Sequence, residues 1–73
     1  MSDTQVPDHY EVLQLSPRAD ADTISRVFRH MAKRLHPDNL ESGDPERFGA
    51  IMEAFRVLSD PALRAAYDAR YDR

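Results

Sequence analysis

From Ile24 to Leu35 the apolar residues Ile24, Val27, Phe28, Met31, Ala32 and Leu35 fall at i, i+3, i+4, i+7, i+8 and i+11, the spacing of one helical face. The pattern stops at His36-Pro37-Asp38, because proline disfavours the α conformation in the residue before it and offers no amide hydrogen. A second apolar series, Phe48, Ile51, Phe55 and Leu58, follows Asp44-Pro45, an N-cap with proline at the first helical position. At 1.5 Å per residue, Asp20 to Leu35 spans roughly 24 Å, and the next helix matches it in length. A loop of about eight residues, His36 to Gly43, then folds the pair into an antiparallel hairpin that buries one stripe against the other. The polar tripeptide is left outside both helices, stiff and solvent-facing, which suits contact better than core.

The flanks read as two shorter helices. Asp8 with Glu11 three residues on resembles a capping box, and Tyr10, Val12, Leu13 and Leu15 supply the apolar content of a first helix that covers an open side of the hairpin. His9 is expected to sit exposed on it. Ser16-Pro17 turns the chain, Asp20 caps the second helix, and Asp22 favours its positive end. Asp60-Pro61 opens a last helix holding Leu63, Ala66, Tyr67 and Tyr71. The segment from Tyr67 to Arg73 either covers the hairpin or frays. Phe28, Met31, Phe48, Met52 and Phe55 are expected in the core, and Gly49 inside the third helix costs about 1 kcal/mol relative to alanine. Residues 1–7 read as a disordered lead-in. No strand pattern appears, so the class is all-α with four helices.

A chain of 73 residues supports one small domain. Without cysteine there is no disulfide framework or thiolate zinc site, and packing must supply a stability of about 3 to 5 kcal/mol. The first residues lack the basic and apolar regions of a signal peptide, and no apolar run approaches a membrane span, so a soluble, unsecreted, cytoplasmic domain is expected. Charge is unevenly placed. Residues 24–36 hold Arg26, Arg29, Lys33 and Arg34 with no acid, yet the chain carries a net −3. Such a positive stripe on an acidic body suits an acidic patch on a protein partner better than nucleic acid, whose binders are more often basic overall. Arg26, Arg29 and Lys33 share a face, with Arg34 farther round. His36 and Asp38 lack a nucleophile or a phosphate-cradling glycine loop, and His30 and His36 are too far apart to share one helical face. No enzyme activity, metal, cofactor or direct nucleotide binding is expected.

With these residues in this order, the segment from Asp8 to Asp68 resembles a J domain, the module that defines the DnaJ-like co-chaperones. The resemblance rests on Asp8-His9-Tyr10-Glu11-Val12-Leu13, on Ile24 to Asp38, on Arg47-Phe48, on Glu53-Ala54-Phe55-Arg56-Val57-Leu58-Ser59-Asp60 and on Leu63-Arg64-Ala65-Ala66-Tyr67-Asp68. It implies the four-helix J-domain fold over residues 8–73, monomeric as an isolated domain. It also implies docking on a DnaK-type chaperone ATPase, with the basic second helix on an acidic surface and His36, Pro37 and Asp38 near the junction of the chaperone's domains. Stimulated hydrolysis there traps a client polypeptide, and the chaperone performs the chemistry. Asp38 would accept a partner arginine. Among the cations Arg29 and Arg26 rank first, and Phe48 lies near the contact edge. No membrane or nucleic-acid partner is implied.

The chain departs from the family pattern at several positions. Phe28 stands where tyrosine is common, Ser25 and His30 where basic residues are frequent, and Gln14 where glycine is frequent. After the tripeptide comes Asn39-Leu40 in place of a basic residue and asparagine, in a short loop. Other readings stand beside this one. The tripeptide could be only a helix stop, the stripe only a solvated face. The helices could bind nucleic acid or an anionic surface through the stripe, or serve as a degenerate J-domain adaptor without ATPase stimulation. A glycine/phenylalanine-rich linker, zinc module and client-binding domain are absent from the sequence, which suggests the N-terminal module of a longer protein.

Overall fold

An aspartate carboxylate starts each of the four helices in the described residues. In the computed structural model, which describes residues 8–71, these are α1 (His9–Val12), α2 (Ala21–Leu35), α3 (Pro45–Leu58) and α4 (Pro61–Tyr71). Asp8 accepts from the Glu11 amide at 3.0 Å, Asp20 from Thr23 at 2.8 Å and Asp44 from Arg47 at 3.1 Å. Asp60 accepts from Ala62 and Leu63. Each carboxylate satisfies an amide that has no partner in the first helical turn and lies at the positive end of the helix dipole. The backbone hydrogen bond to Thr23 also holds the Asp20 carboxyl below its ordinary value. The expected lead-in over residues 1–7 lies outside the described residues, as do Asp72 and Arg73.

The first helix is shorter than its apolar content suggests, because Leu13 caps it and Leu15 lies beyond it. Gln14 takes φ +56°, the left-handed conformation. Its amide donates to the Glu11 carbonyl at 2.9 Å and that of Leu15 to Tyr10 at 2.7 Å. These two bonds form a Schellman stop, usually built on glycine.

The antiparallel hairpin of α2 and α3 forms as the apolar spacing requires. α3 is the hub, packing against each of the other three helices. Ile24, Met31 and Leu35 of α2 are buried with Ile51, Ala54 and Leu58 of α3, while Leu13 and Tyr10 close the α1 side. Burying an isoleucine or leucine side chain fully contributes about 1.5 to 3 kcal/mol, so these contacts carry the hairpin. Phe28 and Phe55 stack at its edge, ring centroids 4.2 Å apart and 11° from parallel. They are partly buried, as is Phe48, whereas Met52 is 47% exposed and does not join the core. Met52 falls just outside the strip of α3 that α2 covers. In α4, Leu63 and Ala66 also face solvent, leaving Tyr67 as the buried residue.

α4 is held to the rest by tyrosines and one arginine. Tyr67 is buried and Tyr71 partly so; both rings lie against Tyr10. This stretch therefore packs against Tyr10 of α1 as far as Tyr71 and does not fray there. His9, expected to be exposed, is instead buried. Its ring lies 4.7 Å from that of Tyr67, and its amide donates to the Tyr67 hydroxyl at 2.8 Å. That bond satisfies an amide of the first turn across 58 residues of sequence. Arg64 donates to the Tyr10 hydroxyl at 3.0 Å and to the carbonyls of Pro17 at 3.1 Å and Ala19 at 2.7 Å. Tyr10 in turn donates to the Asp68 carboxylate. Burial, helped by the Asp68 bond, pushes the Tyr10 hydroxyl above its ordinary pKa.

Candidate functional site

α2 ends because His36 takes φ −55° and ψ 136°, the extended conformation imposed on a residue before proline. The chain then runs through nine residues, 36–44, to the first residue of α3. His36, Pro37 and Asp38 are all exposed. The His36 side chain retains 51% of its accessible surface and that of Asp38 94%.

Hydrogen bonds close the loop upon itself. The Asp38 amide donates to Nδ1 of His36 at 3.1 Å, so the neutral imidazole carries its proton on Nε2. The Asn39 amide donates to the His36 carbonyl at 2.8 Å, the Gly43 amide to the Asn39 carbonyl at 2.8 Å, and the Asp44 amide to the Leu35 carbonyl at 2.9 Å. Oδ1 of Asn39 accepts from Glu41 at 3.1 Å and from Ser42 at 3.2 Å, and the Ser42 hydroxyl donates to the Arg34 carbonyl at 2.6 Å. Gly43 is tightly enclosed. A Cβ there would lie 2.5 Å from the carbonyl oxygens of both His36 and Asn39, too close for any side chain. These scaffold roles of Asn39 and Gly43 escaped the sequence reading. An asparagine two and three residues before the amides it caps is the available signal, since such local bonds define turns.

Phe48 of α3 joins the loop from the other side, its ring edge-on to His36 at 5.2 Å between centroids. The two rings border a groove of about 500 Å³ completed by Ala32, Lys33, Asp38 and Asn39. His36, Asp38, Lys33 and Phe48, drawn from two helices and a loop, therefore share one hollow. Pro37 lies in the same loop but outside its lining.

All four stripe cations are exposed on α2. Arg26 pairs with Asp22 one turn earlier at 3.3 Å, an exposed ion pair. Among the described residues, no ion pair engages Arg29, Lys33 or Arg34. The stripe thus presents Arg29 and Lys33 unneutralised on the groove side, with Arg26 partly compensated at the far end. Arg34 lies farther round, as its position in the helical repeat requires. A second hollow of about 450 Å³ is lined by Phe28, Arg29, His30, Ala32 and Lys33 and continues the groove along α2. Among the described residues, no group of three acidic, histidine or cysteine side chains is arranged to hold a metal ion, and no helix is long and apolar enough to cross a membrane.

The DnaJ domain family model matches residues 8–68. The chaperone protein DnaJ of Listeria monocytogenes serotype 4a is 50% identical over 62 residues, covering 84% of this chain and 16% of the relative. The corresponding protein of Lacticaseibacillus casei is 52% identical over the same length and coverage. That of Listeria welshimeri is 50% identical. The chain spans about a sixth of the length of these relatives, at 16% of each. A match running from the cap of α1 through most of α4, with the tripeptide exposed at the end of a cationic helix, means that this chain belongs to the DnaJ domain family.

Proposed function

We propose that this chain is the co-chaperone module that docks on a DnaK-type chaperone and stimulates its ATP hydrolysis. One observation carries the reading: an intact His36-Pro37-Asp38 is held exposed in a closed loop, beside a helix face with unneutralised cations, in a member of the DnaJ domain family. Arg26, Arg29, Lys33 and Arg34 steer the encounter with an acidic surface and set its orientation, since exposed charges act mainly on association rate. Asp38, open on nearly all sides, accepts a guanidinium from the partner in a charge-assisted bond. Pro37 keeps the bend outside the helix. His36 and Phe48 shape the hollow against which the partner packs. The partner performs the hydrolysis, and the module supplies contact and timing.

The test is single-turnover ATPase measurement with a purified DnaK-type chaperone. The wild-type chain should accelerate hydrolysis, and His36→Gln should abolish the acceleration while the circular dichroism spectrum stays helical. Half-saturation should shift to higher concentration as salt screens the stripe. Undiminished stimulation by the His36→Gln variant overturns the reading. Binding to random-sequence DNA that survives His36→Gln would instead assign the stripe to nucleic acid, whose phosphate contacts ignore the tripeptide.

A further inference from the structure

Among residues 36–43 Asn39 is the most buried, and four of the loop's hydrogen bonds pass through it. Its amide binds the His36 carbonyl, its carbonyl receives the Gly43 amide, and its side-chain oxygen receives two more amides from Glu41 and Ser42. The returning half of the loop is therefore tied, through one side chain, to the half that carries the tripeptide. Nothing apolar does this job. Leu40, the loop's one large hydrophobic side chain, is 97% exposed, so it does not order the loop; Phe48 packs on His36, and hydrogen bonding holds the returning half.

Gly43 makes the arrangement strict, because only a residue without Cβ allows the Asn39 and His36 carbonyls to approach its backbone together. The Asp38 amide bond to His36 Nδ1 then fixes the imidazole relative to the Asp38 backbone, from which the carboxylate projects. Asn39 also lines the groove with both. We infer that Asn39 is a positioning residue for the proposed docking, its side-chain oxygen locking the loop so that the His36 imidazole and the Asp38 carboxylate are presented in one fixed relation. The inference rests on the reading of function above and adds a residue to it. It needs no contact between Asn39 and the partner. A loop that visits the competent arrangement only part of the time binds with an apparent affinity lowered by that fraction.

Two variants separate the possibilities. Asn39→Ala removes the acceptor, and Asn39→Asp keeps an oxygen in its place. In the ATPase titration with a purified DnaK-type chaperone, Asn39→Ala should raise the half-saturating concentration about tenfold while leaving the maximal rate at saturation near wild type. Asn39→Asp should restore the wild-type curve to within about twofold. Amide hydrogen exchange on the unbound chain gives a readout independent of the partner. In Asn39→Ala the amides of Glu41 and Ser42 lose protection directly, and that of Asp38, whose own partner is His36, loses it as well; α2 and α3 stay protected. An unchanged Asp38 amide in Asn39→Ala, or an unchanged half-saturating concentration, overturns the inference. If the wild-type chain stimulates no chaperone, the functional reading fails by itself, and the Asp38 amide alone decides whether Asn39 orders the tripeptide.

Discussion

Gly49 and Gln14 each occupy a backbone position that suits the other's residue type. Gly49 lies inside α3, exposed, and a Cβ built on it meets nothing within 4 Å. Alanine there would lose less backbone entropy on folding and clash with nothing, so Gly49→Ala should stabilise the chain by about 1 kcal/mol. For a domain of this size that is a rise in melting temperature of about 4 to 8 °C, readable by circular dichroism. Gln14 shows the reverse mismatch, with φ +56° in the stop that ends α1. The left-handed conformation costs a residue with a side chain about 1 to 2 kcal/mol. Glycine's extra freedom in the unfolded chain returns about 0.4 to 1 kcal/mol of that. Gln14→Gly should therefore raise stability by about 0.5 to 1 kcal/mol, measured as a higher urea midpoint at unchanged slope. A lower midpoint would mean that the Gln14 side chain contributes more than its backbone costs. Both positions stood out in the sequence as departures, Gly49 from helix propensity, a local rule, and Gln14 from the family pattern, which has glycine there frequently.

The helices themselves were legible because their rules are local. Asp8, Asp20, Asp44 and Asp60 each bind amides two or three residues ahead, a distance that a sequence pattern covers. The exposed tripeptide followed from proline chemistry, and the cationic face from helical repeat. What stayed hidden lies across the fold. His9 is buried by Tyr67, 58 positions away, and Arg64 bonds to Tyr10, 54 away. Neither pairing leaves a periodic trace, because nothing in the spacing says which face of α4 meets α1. Met52 marks a limit of another kind, since an apolar series does not reveal how wide a strip the neighbouring helix covers. Arg64 shows what such a distant contact is worth. Its side chain is only 20% exposed and serves the carbonyls of Pro17 and Ala19, the Tyr10 hydroxyl and, at 3.7 Å, the Asp68 carboxylate. Arg64→Met keeps much of the apolar stem and removes every donor, leaving two loop carbonyls to water. The loss should be about 1.5 to 3 kcal/mol in urea denaturation, the range for hydrogen bonds to a charged group. Amide exchange should quicken in α1 and α4 before α2 and α3, because Arg64 joins the former pair. Where the variant is still folded, its half-saturating concentration in the ATPase assay should match wild type, as Arg64 touches none of the residues proposed to dock. A weakened docking curve under those conditions would show that α4 shapes the contact surface after all.

Across the fold, charge and burial set a pH window for stability. The groups whose protonation burial shifts lie where α1 meets α4, away from the tripeptide. The interior is governed at its acid edge by His9. Burial against Tyr67 lowers its pKa from the ordinary 6.5; Glu53 and Asp8 oppose that shift, and Arg56 adds to it. Because the folded value is depressed, the unfolded chain binds a proton at His9 before the folded chain does. Stability therefore declines as pH falls below 6.5, and this loss is complete once the folded histidine is itself protonated. Asp20, held below 3.8 by its cap, and Glu53, held below 4.5 by its bond to Arg56, add their own losses only in stronger acid. At the alkaline edge Tyr10 and Tyr67 are both raised above 10.0, chiefly by burial. The unfolded chain then releases those protons first, and stability falls again as pH rises past that value. Urea midpoints across pH 5 to 8 test the acid edge, with His9→Phe as the comparison, since phenylalanine keeps a ring against Tyr67 and cannot take a proton. Wild type should lose stability steadily below about pH 6.5. His9→Phe should flatten that slope. A slope equally steep in His9→Phe would mean that the His9–Tyr67 contact accepts the charged ring. A flat variant assigns the acid-edge loss of stability to His9 and its contact with Tyr67, where α1 meets α4.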